Sequence, residues 1–368
     1  MYPELWKISR VIPIYKSGSR DNIRNYRPVS ILSKLSLVFE RLLFEKLFII
    51  IRGQISVLQF GFMARRSTQL QLLQYVDELY HSLDQGKTIN AMYLDFSKAF
   101  DKVPHNLLIM KLRNFGVGGG LLRLVSSYLK GRKQFVAISC ANSSSIPVLS
   151  GVPQGSILSP LLFLTFINDL PSVCVHSFIM MFADDVKLFT NDLSSLELDC
   201  RHIFEWGRKN FMVFNIEKTI FFTSKIHTSI KFLSNDIPGT TKVKDLGVNI
   251  SADLNWTYHI RSRIKAANIN LLKLMRNIPR MTNSVVKLSL YRSYILSIVM
   301  YCSSVWSPGV MDLSCLEKLQ SRATKWIMGR NSDYRSRLIS LRILPVSLLL
   351  QLNDLVLFNK MLTGAYDI

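Results

Sequence analysis

The run MMFADDVKLF at residues 180–189 sets two adjacent carboxylates, Asp184 and Asp185, inside an otherwise apolar stretch. Charged side chains are seldom buried without a partner, so a fold that accommodates this run must bring something to them. The flanking SFIMMF and VKLFT have strand character, which makes AlaAspAsp a tight turn between two strands. An isolated acidic pair at such a tip can be no more than a solvated turn. A second acidic strand end changes that. In NAMYLDFSKAF, Asp95 closes an apolar run and precedes a polar turn. Asp95 beside the 184–185 tip would gather three carboxylates at one sheet edge, and divalent cations would relieve their repulsion. Two magnesium ions about 4 Å apart can activate an attacking oxygen and stabilise a leaving one in phosphoryl transfer.

The charge balance fits that chemistry. Against 46 Lys+Arg stand 25 Asp+Glu, a net charge of +21, which argues for a polyanionic partner. At 368 residues and 48% hydrophobic, the chain can build a large core or several in series. Its five cysteines are odd in number and scattered without a C-x-x-C pair, which suits a reducing compartment and argues against a disulfide framework or a zinc site. Residues 1–16 mix charge with proline and do not read as a signal peptide. The uncharged window Gln134–Asn168 is broken by Pro147, Pro153 and Pro160. The window Ser293–Met311 reads as a buried helix ending at Pro308-Gly309, so no stable membrane association is expected.

Residues 2–31 read as short extended pieces joined by polar loops. Leu32, Leu35, Phe39, Leu42 and Leu43 recur at helical spacing, and Ser67–Leu83 reads as a second helix with Ser67 as its cap. Helices and strands then alternate irregularly, pointing to an α/β or α+β sheet layered with helices. From Leu254 to Pro345 there are 15 Lys+Arg against three acids on a helical pattern, the composition of a basic clamp.

LDFSKAFDKVPH, GVPQGSILSPLLFLTFINDLP and FADDVKLF, in that order, resemble three consecutive motifs of reverse transcriptases. NYRPVSILSKLSLVFERLL, QFGFMARRSTQLQLL, WGRKNFMVFNIEKT and VKDLGVNISADLNWTYHI resemble the non-LTR, LINE-type retrotransposon branch, nearest its jockey and chicken-repeat-like clades. YILSIVMYCSSVWSP and LEKLQSRATKWI resemble the post-polymerase region of that branch. The resemblance implies an α/β (α+β) right-hand polymerase fold. Fingers with N-terminal helices would occupy 1–90, and a palm 91–250 with a fingers segment at about 111–150. The catalytic domain would span about 1–250, and a basic helical thumb with post-polymerase region 251–368. The implied activity is RNA-directed DNA polymerisation on an RNA template, with a DNA primer and dNTPs. Two Mg²⁺ ions, or Mn²⁺ in their place, would serve as cofactors inside the nucleus or cytoplasm of a eukaryotic host.

The implied roles fall on individual residues. Asp95 and Asp184 match the two metal-holding aspartates and Asp185 the accessory third. Phe100 matches the aromatic gate that collides with a ribose 2′-hydroxyl; alone it would read as core packing. Lys98 and Ala99 lie where family members offer backbone N–H groups to the triphosphate. Gln154 matches the residue touching incoming nucleotide and template, and Gly155 permits close backbone approach there. Lys16 and Arg27 match the fingers residues that grip the β- and γ-phosphates, and Lys218 the lysine that protonates the leaving pyrophosphate. Leu246 and Gly247 sit at the primer-gripping hairpin.

Two departures are mild: Phe182 stands where Tyr is common before the aspartate pair, and Ser159 replaces the glycine of LeuGlyPro. No endonuclease, RNase H or zinc knuckle is visible, so the chain is expected to be a fragment of such an element. An inert nucleic-acid-binding remnant and a mobile-intron reverse transcriptase are the alternative readings.

Overall fold

The computed structural model describes residues 1–225, 228–279, 281–310, 313–329 and 331–366. Arg280, Met311, Asp312 and Arg330, which enter the sequence readings above, lie outside the described residues. By compactness the chain divides into two units. Unit one comprises Met1–Met63, Asn90–Phe221 and His227–Gly239; unit two comprises Ala64–Ile89, Phe222–Ile226 and Thr240–Ile368.

Unit one holds two sheets. In the first, β1 (Ile8–Tyr15) pairs antiparallel with β2 (Tyr26–Ile31) and parallel with β4 (Lys133–Ile138), with β3 (Asn90–Leu94) belonging elsewhere. The short β5 (Ala141–Asn142) and β6 (Ile146–Pro147) both pair with β4. The second sheet adds β7 (Phe178–Phe182), β8 (Asp185–Thr190), β9 (Ile220–Thr223), β10 (Ser229–Phe232) and β11 (Asn235–Thr240) to β3. Its order is β10-β11-β9-β3-β8-β7. Strands β3 and β8 are buried along nearly their whole length, as expected where helices cover both faces of a sheet. The helix Ser159–Ile167, buried at every position but Pro160, joins the same core, where Phe163, Phe166, Leu188 and Phe221 are inaccessible.

The hairpin predicted around the aspartates forms, one residue shorter than expected. Asp185 is the first residue of β8, paired with Phe182, so the turn consists of Ala183 and Asp184. The first long helix is Lys34–Ile51, but its inward face is not the predicted stripe. Leu35 and Leu42 are 65% and 58% exposed, while Ser36, Glu40, Leu43, Leu47 and Ile51, spaced three or four apart, are buried. Leu32 precedes the helix and is buried on its own account.

Unit two is mostly helical. The expected helix runs Thr68–Asp84, with the Ser67 hydroxyl accepting from the Leu70 N–H at 3.2 Å. The hairpin of β12 (Lys242–Asp245) and β13 (Val248–Ser251) turns through Leu246 and Gly247, both at positive φ. Helix Thr257–Asn277 follows, and the C-terminal part is carried by Ser314–Met328, Tyr334–Leu341 and Val346–Leu362. The segment predicted as one buried helix departs from that expectation. Ser284–Gly309 is long and apolar enough to cross a membrane, yet only 28% of that window is buried. Val285 and Tyr294 face solvent, and the helix breaks at Cys302, in the left-handed region (φ 49), before it reaches Pro308.

His259 ties this helical body to the hairpin. It is wholly buried against the Trp256 and Trp306 rings, and its Nδ1 accepts the Asn249 N–H at 3.1 Å. A protonated imidazole cannot accept that bond. Burial, reinforced by the nearby Arg263 charge, lowers its pKa from 6.5 to about 4. The unfolded chain therefore binds a proton that the folded chain refuses between those values. Stability from this residue is complete above pH 6.5 and declines as pH falls towards 4, by roughly 3 kcal/mol at most. Denaturant titrations of the wild type and His259→Asn should differ in slope across that interval, with the variant the flatter.

Candidate active site

Strand pairing fixes how the acidic residues meet. Leu94 is opposite Val186 in the β3–β8 ladder, so Asp95, one residue past Leu94, emerges beside the start of β8 and its turn. The two carboxylates sense each other. Burial raises the Asp184 pKa, its own backbone N–H offsets part of this, and the Asp95 charge raises it further. Arg27 and Lys16 act in the opposite direction on the same carboxyl. Both cations are exposed and flank the loop joining β1 to β2, where the Lys16 N–H bonds the Asn25 carbonyl at 2.8 Å.

Lys218 reaches the cluster from a different segment. Its ammonium lies 2.9 Å from Asp95 Oδ2, and the chain leading to it is bonded to the same strand end. The Asn215 N–H donates to the Asp95 carbonyl and the Ser97 N–H to that of Val213, at 2.8 and 2.7 Å. Among the described residues no three His, Cys, Asp or Glu side chains converge as a coordination cluster. The structure therefore brings Asp95 and Asp184 together with three basic side chains, while Asp185 is the exposed first residue of β8.

The Lys98–Gln154 group is also assembled in unit one. Lys98 adopts the left-handed conformation (φ 54) and caps the short helix Ala99–Lys102, where Ala99 is buried. The Phe100 ring stacks on Phe163 at 4.4 Å between centroids and meets Phe62 edge-on at 6.4 Å. It is half-buried, so packing holds the ring that the family resemblance makes a gate. Gln154 Nε2 donates to Asp101 Oδ1 at 3.0 Å, and its carbonyl accepts the Ser30 N–H at 2.7 Å. Gly155 sits at φ +117, and a Cβ there would lie 2.4 Å from the Ser30 carbonyl oxygen. The close approach that requires glycine is thus to β2 of the same chain. Leu246 and Gly247 belong to unit two, where the Tyr301 hydroxyl donates to the Leu246 carbonyl at 2.8 Å.

Three residues that the sequence did not single out hold this loop. Glu40 Oε2 accepts from the Ser156 hydroxyl at 2.6 Å and the Ile157 N–H at 2.9 Å, with the carboxylate fully buried. The Tyr128 hydroxyl shares Ser156, and Ser36 bonds the other oxygen of Glu40. Burial raises the Asp101 pKa, opposed by the Gln154 amide and the Lys98 charge. Asp101 and the buried Arg132 line a cavity of about 350 Å³ with Ser30, Lys98, Gln134 and Gln154. A glutamate on the inward i, i+4 stripe of its helix was the available signal for Glu40.

With this geometry in view, the family described as reverse transcriptase (RNA-dependent DNA polymerase) matches residues 14–250, well over half the chain. The chain belongs to the reverse transcriptase family. A probable RNA-directed DNA polymerase from transposon X-element of Drosophila melanogaster is 29% identical over 89% of this chain and 38% of its own length. The RNA-directed DNA polymerase from the mobile element jockey of the same fly is 27% identical over 91% of this chain and 39% of its own. The reverse transcriptase chain thus spans about two-fifths of the length of these relatives. Among solved structures, apo telomerase from Candida tropicalis matches 89% of this chain and 63% of its own at TM-score 0.52 and 12% identity. Candida albicans telomerase with a TWJ fragment of telomeric RNA matches 92% and 66% at TM-score 0.51 and 12% identity. These likenesses support the polymerase fold.

Replacing Gly155 with alanine would impose both a strained φ and a clash with β2, at a cost of about 3 kcal/mol or more. Gly120→Ala, in a helix with nothing within 4 Å of the added methyl, should instead be neutral to mildly stabilising. Chemical denaturation of the two variants checks the contrast.

Proposed function

We propose that the chain is the polymerising part of a non-LTR retrotransposon reverse transcriptase, extending a DNA primer with dNTPs on an RNA template. The observation that carries this is the pairing of Asp95 with Asp184 at one sheet edge, faced by Lys16, Arg27 and Lys218. The acidic pair suits a divalent cation. Asp184 is held where burial and Asp95 both disfavour its charge, its donors are hard oxygens, and two carboxylates leave coordination positions for substrate oxygens. Mg²⁺, or Mn²⁺, held by Asp95 and Asp184 with Asp185 as accessory, would supply activation of the primer hydroxyl and charge neutralisation of the triphosphate.

The remaining work falls to the chain. Lys16 and Arg27, exposed on either side of the β1–β2 loop, are placed to draw in and orient the β- and γ-phosphates. The Lys98–Ala99 turn offers backbone N–H groups to the same triphosphate, and the Phe100 edge limits what can stand at the sugar 2′ position. Gln154, fixed by Asp101 and by β2, presents a braced surface to the base pair being formed. Lys218 neutralises Asp95 in the resting chain and can donate its proton to departing pyrophosphate. Rate enhancement would come from alignment and fixed charge rather than from a covalent intermediate.

In this assignment fingers occupy 1–90 and about 111–150, the palm 91–250, and the basic thumb 251–368, with Leu246 and Gly247 contacting primer. The element would act inside a eukaryotic cell, in nucleus or cytoplasm.

Asp184→Asn should abolish Mg²⁺-dependent dTTP incorporation on poly(rA)/oligo(dT) while leaving the fold intact; undiminished synthesis would remove the assignment. Template binding by a wild-type chain that incorporates nothing would favour the inert remnant. Lys218→Met removes a partly exposed ion pair, so stability should change by less than about 1 kcal/mol. Single-turnover incorporation should nevertheless fall by roughly a hundredfold, the scale of a lost general acid.

A further inference from the structure

The QFGF run at residues 59–62 has no role in the chemistry described so far, yet it grips the turn that carries Asp184. Its main chain lies along β7: the Phe60 N–H donates to the Met181 carbonyl at 2.8 Å, and the Met181 N–H to that of Leu58 at 2.9 Å. From there the Gln59 side chain, 1% exposed, reaches the turn itself. Its Oε1 accepts two N–H groups, from Ala183 at 2.8 Å and Gly61 at 2.9 Å, and its Nε2 faces the Ala183 carbonyl at 3.4 Å. Only one orientation of the amide serves two N–H donors at one end and a carbonyl at the other, so the assignment of its oxygen is determined. Ala183 is itself buried and left-handed (φ 55), a conformation that a non-glycine residue holds only when its surroundings impose it. On the other side Gly61 closes the grip: a Cβ there would stand 2.4 Å from the Ala183 nitrogen.

We infer that Gln59 is a positioning residue for Asp184, fixing the Ala183 amide so that the next carboxylate stays opposed to that of Asp95. This rests on the reading of Asp184 as a cation ligand. With Gln59 gone, the buried Ala183 N–H has no acceptor from that side chain, and the turn can relax out of the left-handed conformation and carry Asp184 away.

The test is Mn²⁺ binding to the full chain, followed by electron paramagnetic resonance of the free ion at low temperature, with circular dichroism recording the fold. Wild type should bind, and Asp184→Asn should lose binding; if it does not, the cation reading fails and the inference falls with it. Given that control, Gln59→Leu should weaken Mn²⁺ affinity at least tenfold with the fold retained. The metal concentration for half-maximal incorporation should rise in parallel, while the KM for dTTP at saturating Mn²⁺ stays within twofold. Gly61→Ala moves the same amide by sterics alone and should weaken Mn²⁺ in the same direction, deciding the matter if Gln59→Leu does not fold. A folded Gln59→Leu chain with wild-type Mn²⁺ affinity, or a Gly61→Ala chain with unchanged affinity where Gln59→Leu is unfolded, overturns the inference.

Discussion

Asp95 and Asp184 carry like charges, and the β3–β8 ladder forces them to the same edge, where burial makes ionising Asp184 harder still. A fold selected only for stability would not place them so, because separating or neutralising them would release that repulsion. What the chain supplies in compensation is basic: Lys218 bonded to Asp95, with Arg27 and Lys16 acting on Asp184 from either side of the β1–β2 loop. Perturbed carboxylates in such a setting are where function is expected.

Rigid, buried polar contacts then fix the segments around the pair. Glu40 satisfies the Ser156 hydroxyl and the Ile157 amide where the loop enters helix Ser159–Ile167, and Gly155 lets that loop lie against β2. Gln154 is thereby anchored at both its main chain and its side chain. The pattern is one of preorganisation, in which the groups that would touch substrate are held by neighbours that would not. Phe100 fits the same description, its face spent on Phe163 and only part of the ring left open.

Much of this was legible in the sequence, and the parts that were not share a cause. The carboxylate hairpin and the Ser67 cap follow from local rules of alternation and capping, which act within a few residues, whereas the Leu246–Gly247 turn was implied only by the family resemblance. Glu40 did not stand out because the Lys34–Ile51 helix has apolar residues on more than one side. Counting leucines favoured Leu35 and Leu42, whereas the partner that makes a buried glutamate tolerable lies more than a hundred residues away, at Ser156. Gly155 was read as permitting close backbone approach to nucleotide and template, whereas the group that approaches it within the fold is the Ser30 carbonyl. The Ser293–Met311 window was expected to be a buried helix from its serines and its Pro308-Gly309 break, and such sequence features do not say how much of an apolar helix its neighbours cover.

The central claim is that Asp95 and Asp184 jointly bind a divalent cation. Anomalous X-ray scattering from crystals of the chain grown with Mn²⁺ addresses it without reference to activity. The account predicts a manganese peak within bonding distance of a carboxylate oxygen from each of the two aspartates, displacing the Lys218 ammonium from Asp95. A well-ordered site with no peak there, and Lys218 still bonded to Asp95 at saturating manganese, would contradict it.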